Sequence, residues 1–350
     1  MVRRSATLLT AAVGVLCALT VGGAANLTLQ KGQEFVYGGT VKFAMQVANQ
    51  SPSTVKFAVK ERRLVTEATD TGSKVVVVQE FTPDEKDAVP EVGLRTAEIG
   101  ADGTEKSSAP SKFQPESPEY FPTMPMSFPR EVQAGAKWQA REKIGFLKLP
   151  PVTFEVTYRV AGEEKVGDVA CWKVEKILNE TLPSTRSVLE GAAEMTFESF
   201  TERFYVGKSQ PLLARWERAM QVAFKQGNAS ARYEHTWDLA LQSQQTLPAE
   251  ELTSRTEQLK ALQSIEEKLT VTGFKDAETA VNEFKGKYSN SPYQAFIPLA
   301  SDIIDGLKLE ASRPKTGPFS VVLTELNSGK KMSLFDLRGK IILVNFFASW

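Results

Sequence analysis

The sequence predicts an α+β multidomain chain: an N-terminal antiparallel β region, a short helical module and a C-terminal segment of α/β type. Three observations carry this. Val152, Phe154, Val156, Tyr158 and Val160 alternate with other residues, the period of a strand with one buried face. From Pro248 onward the apolar spacing changes to three and four, the period of an amphipathic helix. Near the end, Ile341, Ile342, Leu343, Val344 and Phe346 form a nearly continuous apolar run broken only by Asn345. Such a run suits a central strand covered on both faces, as in parallel or mixed sheets.

Composition sets the outer limits. The chain has 350 residues, 42% hydrophobic and 24% charged, with a formal net charge of zero. That much apolar content can fill an ordinary core, so disorder is not expected. The absence of a basic excess argues against nucleic acid as a partner. Arg3 and Arg4 precede an apolar run over residues 8–21, and Gly23, Ala24 and Ala25 supply small residues for cleavage. Residues 1–25 therefore read as a secretory signal peptide. The expectation is an exported chain, periplasmic or extracellular, with the cell envelope as a candidate partner. Cys17 lies in that signal, which leaves Cys171 as the sole cysteine of the processed chain.

Residues 26–245 read as antiparallel sheet, a sandwich or an open barrel. Val55, Phe57 and Val59 alternate, and residues 75–78 are a valine run. Turn residues punctuate them at Asp70-Thr71-Gly72, Asp102-Gly103, Ala161-Gly162 and Gly167-Asp168. Later strands are expected over 169–178, 196–206, 212–224 and 231–241. Residues 107–129, rich in Pro, Ser and Glu, read as a loop that divides the region into two halves.

Residues 246–311 read as a helical module that spaces the regions on either side. Leu259, Leu262, Ile265 and Leu269 stripe the first helix, which Gly273 ends. Asp276 is the expected cap of a second helix carrying Ala277, Val281 and Phe284. Ser291-Pro292 is the expected start of a third, with Pro298 inside it as a kink. Residues 312–318 form the linker into 319–350.

The last segment carries a family resemblance. Leu334, Asp336, Leu337, Arg338, Gly339, Lys340, Val344, Asn345, Phe346, Ala348, Ser349 and Trp350 match the entry to a thioredoxin-like domain. The segment resembles the redoxin and alkyl hydroperoxide reductase/thiol-specific antioxidant group. Within it, the closest pattern is that of the exported thiol–disulfide oxidoreductases related to the cytochrome c maturation thioredoxins. Phe347 stands where that pattern has tryptophan. The resemblance implies a partial thioredoxin-like fold over 319–350, a thiol–disulfide or antioxidant oxidoreductase activity, and a protein disulfide or thiol partner. The family's paired cysteines would follow Trp350, so the sequence is expected to be a fragment, catalytically incomplete as it stands.

No catalytic, cofactor-binding or metal-ligating residue is assigned, and no cofactor is called for. Cys171 reads as a packed thiol and His235 as a histidine within an aromatic strand face beside Tyr233 and Trp237. Glu163, Glu164, Glu250 and Glu251 read as solvated. The leading expectation is thus an exported thioredoxin-like oxidoreductase. A peroxide-reducing redoxin is a weaker enzymatic option. The alternative from another class is an exported binding or carrier protein that uses the β region and has no redox activity.

Overall fold

The computed structural model describes residues 29–312, apart from 49, 86–89, 101–104, 108–110, 114–131, 145–151, 189–190, 192 and 209–212, together with 322–324 and 331–333. It divides into two compact units, residues 1–259 and 260–350.

The first unit is one antiparallel sheet. Its strands are β1 (Gln33–Val47), β2 (Ser53–Thr69), β3 (Gly72–Pro83), β4 (Glu91–Gly100), β5 (Glu105–Ser107), β6 (Lys137–Ile144), β7 (Val152–Val166), β8 (Val169–Leu178), β9 (Ser184–Val188), β10 (Ala193–Gly207), β11 (Leu213–Gln226) and β12 (Ala229–Thr246). The order is β5-β4-β3-β2-β1-β12-β11-β10-β8-β7-β6, with β9 attached to β10. Most neighbours are consecutive strands joined by hairpins; the long-range closure is β1 against β12, from Gln33 opposite Thr246 to Val47 opposite Ala231. Gly167, at φ +57°, makes the β7–β8 turn in a backbone region that L side chains avoid.

The sheet curls steeply. Phe81 on β3 and Trp237 on β12 lie three steps apart in the order, with β2 and β1 between them, yet their ring centroids are 6.2 Å apart. Three strand spacings in a flat sheet would put them about 14 Å apart. Tyr158 on β7 likewise reaches Phe204 on β10 at 6.1 Å across β8. Gly39 lets the bend happen: a Cβ there would lie 1.9 Å from the Asp238 carbonyl oxygen on β12. Curling turns one face inward. Val41, Phe57, Val77, Phe81, Val160, Val174, Phe204, Trp216, Trp237 and Leu239 meet there in one buried cluster. Phe154, Val156, Leu178, Met195, Phe197, Met220 and Val222 form a second. Val75, Val76, Val77 and Val78 are all buried, and on the neighbouring β4 the Leu94 N–H donates to the Phe113 carbonyl oxygen at 2.9 Å.

Over β1, β7, β8, β11 and β12 the outward face carries ion pairs. Arg215 grips Asp238 at 2.8 Å, Lys42 faces Glu234 at 3.9 Å, and Arg159 holds Glu175 at 2.6 Å. Charge also enters the interior. Glu61, fully buried on β2, accepts hydrogen bonds from Arg63 at 2.6 Å and Gln79 at 2.7 Å. The Arg63 guanidinium lies 4.9 Å from the centre of the Tyr37 ring. Burial pushes the Tyr37 phenol up to about 12; the Arg63 charge opposes this and the Glu61 charge adds to it.

Helix α1 (Ala249–Lys268) follows β12 and runs across the boundary between the units. In the second unit its Leu262 and Ile265 are buried, as are Ala277, Val281 and Phe284 of α2 (Phe274–Lys287) and Phe296, Ile297, Ala300 and Ile304 of α3 (Phe296–Ser312). Lys308 of α3 pairs with Glu278 of α2 at 2.9 Å. Two helix starts differ from the sequence expectation. Asp276 lies in the first turn of α2, whose N-cap is Gly273. α3 begins at Phe296, so Pro298 sits in the first turn, where its missing N–H would have no intrahelical partner anyway. No described helix is long and apolar enough to cross a membrane.

The expected α+β fold class with a C-terminal thioredoxin-like α/β domain is corrected. The described chain is mostly antiparallel β with three helices. In the tail, β13 (Val322–Thr324) and β14 (Lys331–Ser333) pair antiparallel in a separate two-stranded sheet. Hairpins replace the crossover connections that a parallel sheet needs. Residues 341–346 and the signal peptide lie outside the described residues.

Candidate binding site

Register places the candidate site. β8 pairs with β10 from Gly207 opposite Cys171 to Glu202 opposite Lys176, then parts from it. β8 continues along β7 to Val156 opposite Leu178, and the Asn179 N–H still donates to the Glu155 carbonyl oxygen at 2.9 Å. β9 takes up β10 only at Phe197 opposite Ser184. Residues 199–201 of β10 thus pair with β11 on one side, and no described strand pairs with them on the other. A bulge between Phe197 and Ser199 lies at the far end of this gap, where β9 joins.

A cavity of about 370 Å³ fills this wedge. It is lined from both faces of the sheet. Lys176, Leu178, Phe200 and Glu202 alternate with the inward core residues, whereas Arg159, Ile177, Thr201 and Arg203 alternate outward. The wedge is a breach in the curled wall, and Ile177 stands 40% exposed at it.

Its apex is a buried ionic belt. Lys176 Nζ lies 2.6 Å from a Glu142 carboxylate oxygen and 2.9 Å from one of Glu202. Trp216 Nε1 donates to the other Glu202 oxygen at 2.9 Å, and Tyr158 donates to Glu142. Lys176 Nζ also stands 5.8 Å from the centre of the Phe200 ring, over which the Arg218 guanidinium sits at 5.6 Å. Burial alone would raise the Glu202 carboxyl; the Lys176 and Arg218 charges and the Lys176 and Trp216 hydrogen bonds outweigh it and hold the group below the usual carboxylate range. The Tyr158 phenol is pushed far up by burial and by the adjoining Glu142 carboxylate. At the mouth, Arg159 is held by Glu175, while Arg203 has an ion pair to Glu217 at 3.6 Å, and its Nε has no hydrogen-bond partner among the described residues.

The residues weighed from sequence fall elsewhere. Cys171 is buried on the outward side of β8 against Tyr205 and Ala214, and its thiol is held up by burial. The full chain is expected to leave Cys171 unmodified by dithionitrobenzoate at pH 8 until denaturant is added; rapid labelling of the native chain would contradict that placement. His235 lies on the inner face of β12, 6.2 Å from Phe43 and 6.4 Å from Trp237 by ring centroids. Glu163 pairs with Lys208 at 2.6 Å, and Glu164 with Lys173 at 3.2 Å. Glu250 and Glu251 occupy the first turn of α1. None of these lines the wedge. Lys176 and Glu202 were not singled out from sequence. The signal was there: each is a charged residue at an inward position of a two-residue apolar alternation, Lys176 between Val174 and Leu178, Glu202 between Phe200 and Phe204.

No family model matches the chain, and no curated protein matches it. Among solved structures it is similar to Ail, the attachment invasion locus protein of Yersinia pestis, at 4% identity and a TM-score of 0.18, over 61% of this chain and 99% of that one. It is also similar to a DUF1329 family protein from Desulfovibrio piger ATCC 29098, at 9% identity and a TM-score of 0.15, over 61% of this chain and 87% of that one. At these scores neither likeness carries an argument. The thioredoxin-like recognition, and with it the oxidoreductase and antioxidant reading, is corrected. No redoxin model matches, the described fold is an antiparallel sheet, and the one cysteine among the described residues is a buried, packed thiol.

Proposed function

We propose that this chain is an exported binding or carrier protein, periplasmic or extracellular, that holds its ligand on the β unit without redox chemistry. The observation that carries this reading is the breach between β8 and β10, where inward Leu178 and Phe200 and outward Ile177 and Arg203 line one cavity of about 370 Å³. Such a volume suits a small ligand or a short segment of a larger one. The exported location draws its support from the Arg3–Ala25 signal pattern. Ion pairs on the outward side of β7, β8, β11 and β12 favour water there: a membrane barrel presents an apolar band to lipid, whereas here Arg215–Asp238 and Arg159–Glu175 occupy that side.

The test is titration of the full chain with anilinonaphthalenesulfonate. Saturable binding is expected, weakened at least about tenfold by Ile177→Trp, which fills the mouth at an exposed position without disturbing the core. The melting temperature of the variant should stay within about 2 °C of the parent. No saturable binding, or binding untouched by the tryptophan, overturns the reading.

A further inference from the structure

We infer that the wedge between β8 and β10 takes an uncharged, mainly apolar small molecule; this names the ligand class of the proposed site and rests on the binding reading above.

The backbone frame of the wedge is closed, which limits its occupant to a small one. β8 meets β10 at Lys176 opposite Glu202, β9 meets β10 at Ser184 opposite Phe197, and residues 179–183 join β8 to β9 between those points. That connection is pinned in place. The Asn179 N–H donates to the Glu155 carbonyl oxygen at 2.9 Å, Thr157 Oγ1 donates to Asn179 Oδ1 at 2.6 Å, and Glu180 pairs with Arg186. Glu180 and Leu182 of the connection line the cavity.

The charges around the cavity neutralise one another. The lining holds three cations, Arg159, Lys176 and Arg203, and three anions, Glu175, Glu180 and Glu202. Every one of them is paired within the protein. Arg159 lies 2.6 Å from Glu175, Lys176 lies 2.9 Å from Glu202, Arg203 lies 3.6 Å from Glu217, and Glu180 is held by Arg186. A charged ligand would give up its hydration here without finding a free counter-charge. An uncharged one gives up little. It gains apolar contact with Leu178, Leu182 and Phe200, which pack in the inner cluster, and with Ile177 at the mouth.

The test compares two dyes on the full chain: anilinonaphthalenesulfonate, and N-phenyl-1-naphthylamine, which is the same molecule without its sulfonate. The neutral dye is expected to bind at least about tenfold tighter. Ile177→Trp should weaken it at least about tenfold, as expected of a ligand held in the wedge. Glu175→Gln takes away the carboxylate beside Arg159 and leaves Arg203 opposite an uncharged residue across the two strands. The sulfonate then finds an unpaired cation, so the preference for the neutral dye should fall at least about threefold. Sulfonate binding as tight as that of the neutral dye overturns the uncharged-ligand inference and leaves the binding reading standing. So does a preference that Glu175→Gln leaves unchanged, or neutral-dye binding that Ile177→Trp leaves untouched. Failure of both dyes to bind overturns both readings.

Discussion

Replacing Lys176 with methionine is expected to cost about 3–5 kcal/mol of stability at neutral pH. The side chain is only 8% exposed and bridges Glu142 on β6 to Glu202 on β10, so its removal strands a carboxylate that is itself 5% exposed. The pH dependence gives the sharper readout. In the parent chain the Glu202 carboxyl is held low, so its contribution is complete above the unfolded value of about 4.3 and is lost as pH falls through the lower folded value. In Lys176→Met the same buried carboxyl loses its main cation and is expected to rise above the unfolded value. The variant then recovers stability as acid protonates it. The gap between parent and variant should therefore narrow on acidification from pH 7 to pH 4, measured by urea unfolding at each pH. A loss below about 1 kcal/mol that does not change with pH would mark the belt as no stronger than an exposed ion pair.

The second large effect is expected at Gly39. Gly39→Ala places a Cβ 1.9 Å from the Asp238 carbonyl oxygen and 2.9 Å from the Leu239 Cα, both backbone atoms of β12 that cannot swing aside. Relief requires β1 and β12 to separate, and this pair closes the sheet around Trp237 and Leu239. The expected cost is about 3 kcal/mol or more. Gly135→Ala is the control, since nothing lies within 4 Å of its Cβ position, though its φ of +73° adds strain of its own, about 1 kcal/mol. Chemical denaturation of both variants checks the ranking. Equal losses would show that the bend at Gly39 opens without penalty.

Strand and helix periods were legible in particular residues. The alternation from Val152 to Val160 falls in β7, and the Leu259–Leu269 stripe is buried along α1 and just past its end. Both are consequences of local geometry, since side-chain direction repeats every two residues in a strand and every 3.6 in a helix. In the tail, residues 341–346 lie outside the described residues, and what is overturned is the thioredoxin-like reading built on them. An apolar run such as residues 341–346 marks a strand in many sheet environments, and periodicity does not say which strand lies beside it. The site was half legible. Lys176 and Glu202 were not singled out, although each is a charge within an apolar alternation, and nothing local indicated that one would neutralise the other.

The sequence by itself determined the two-residue and helical apolar periods and the hairpin turns at Asp70-Thr71-Gly72 and Gly167-Asp168. Tertiary structure alone decided that β1 closes on β12, that the sheet curls until Phe81 meets Trp237, and that β8 parts from β10 to leave a lined cavity. The physical reason is range. A side chain's facing follows from its immediate neighbours, whereas register, curl and gaps depend on pairings between residues up to some two hundred positions apart, such as Gln33 with Thr246.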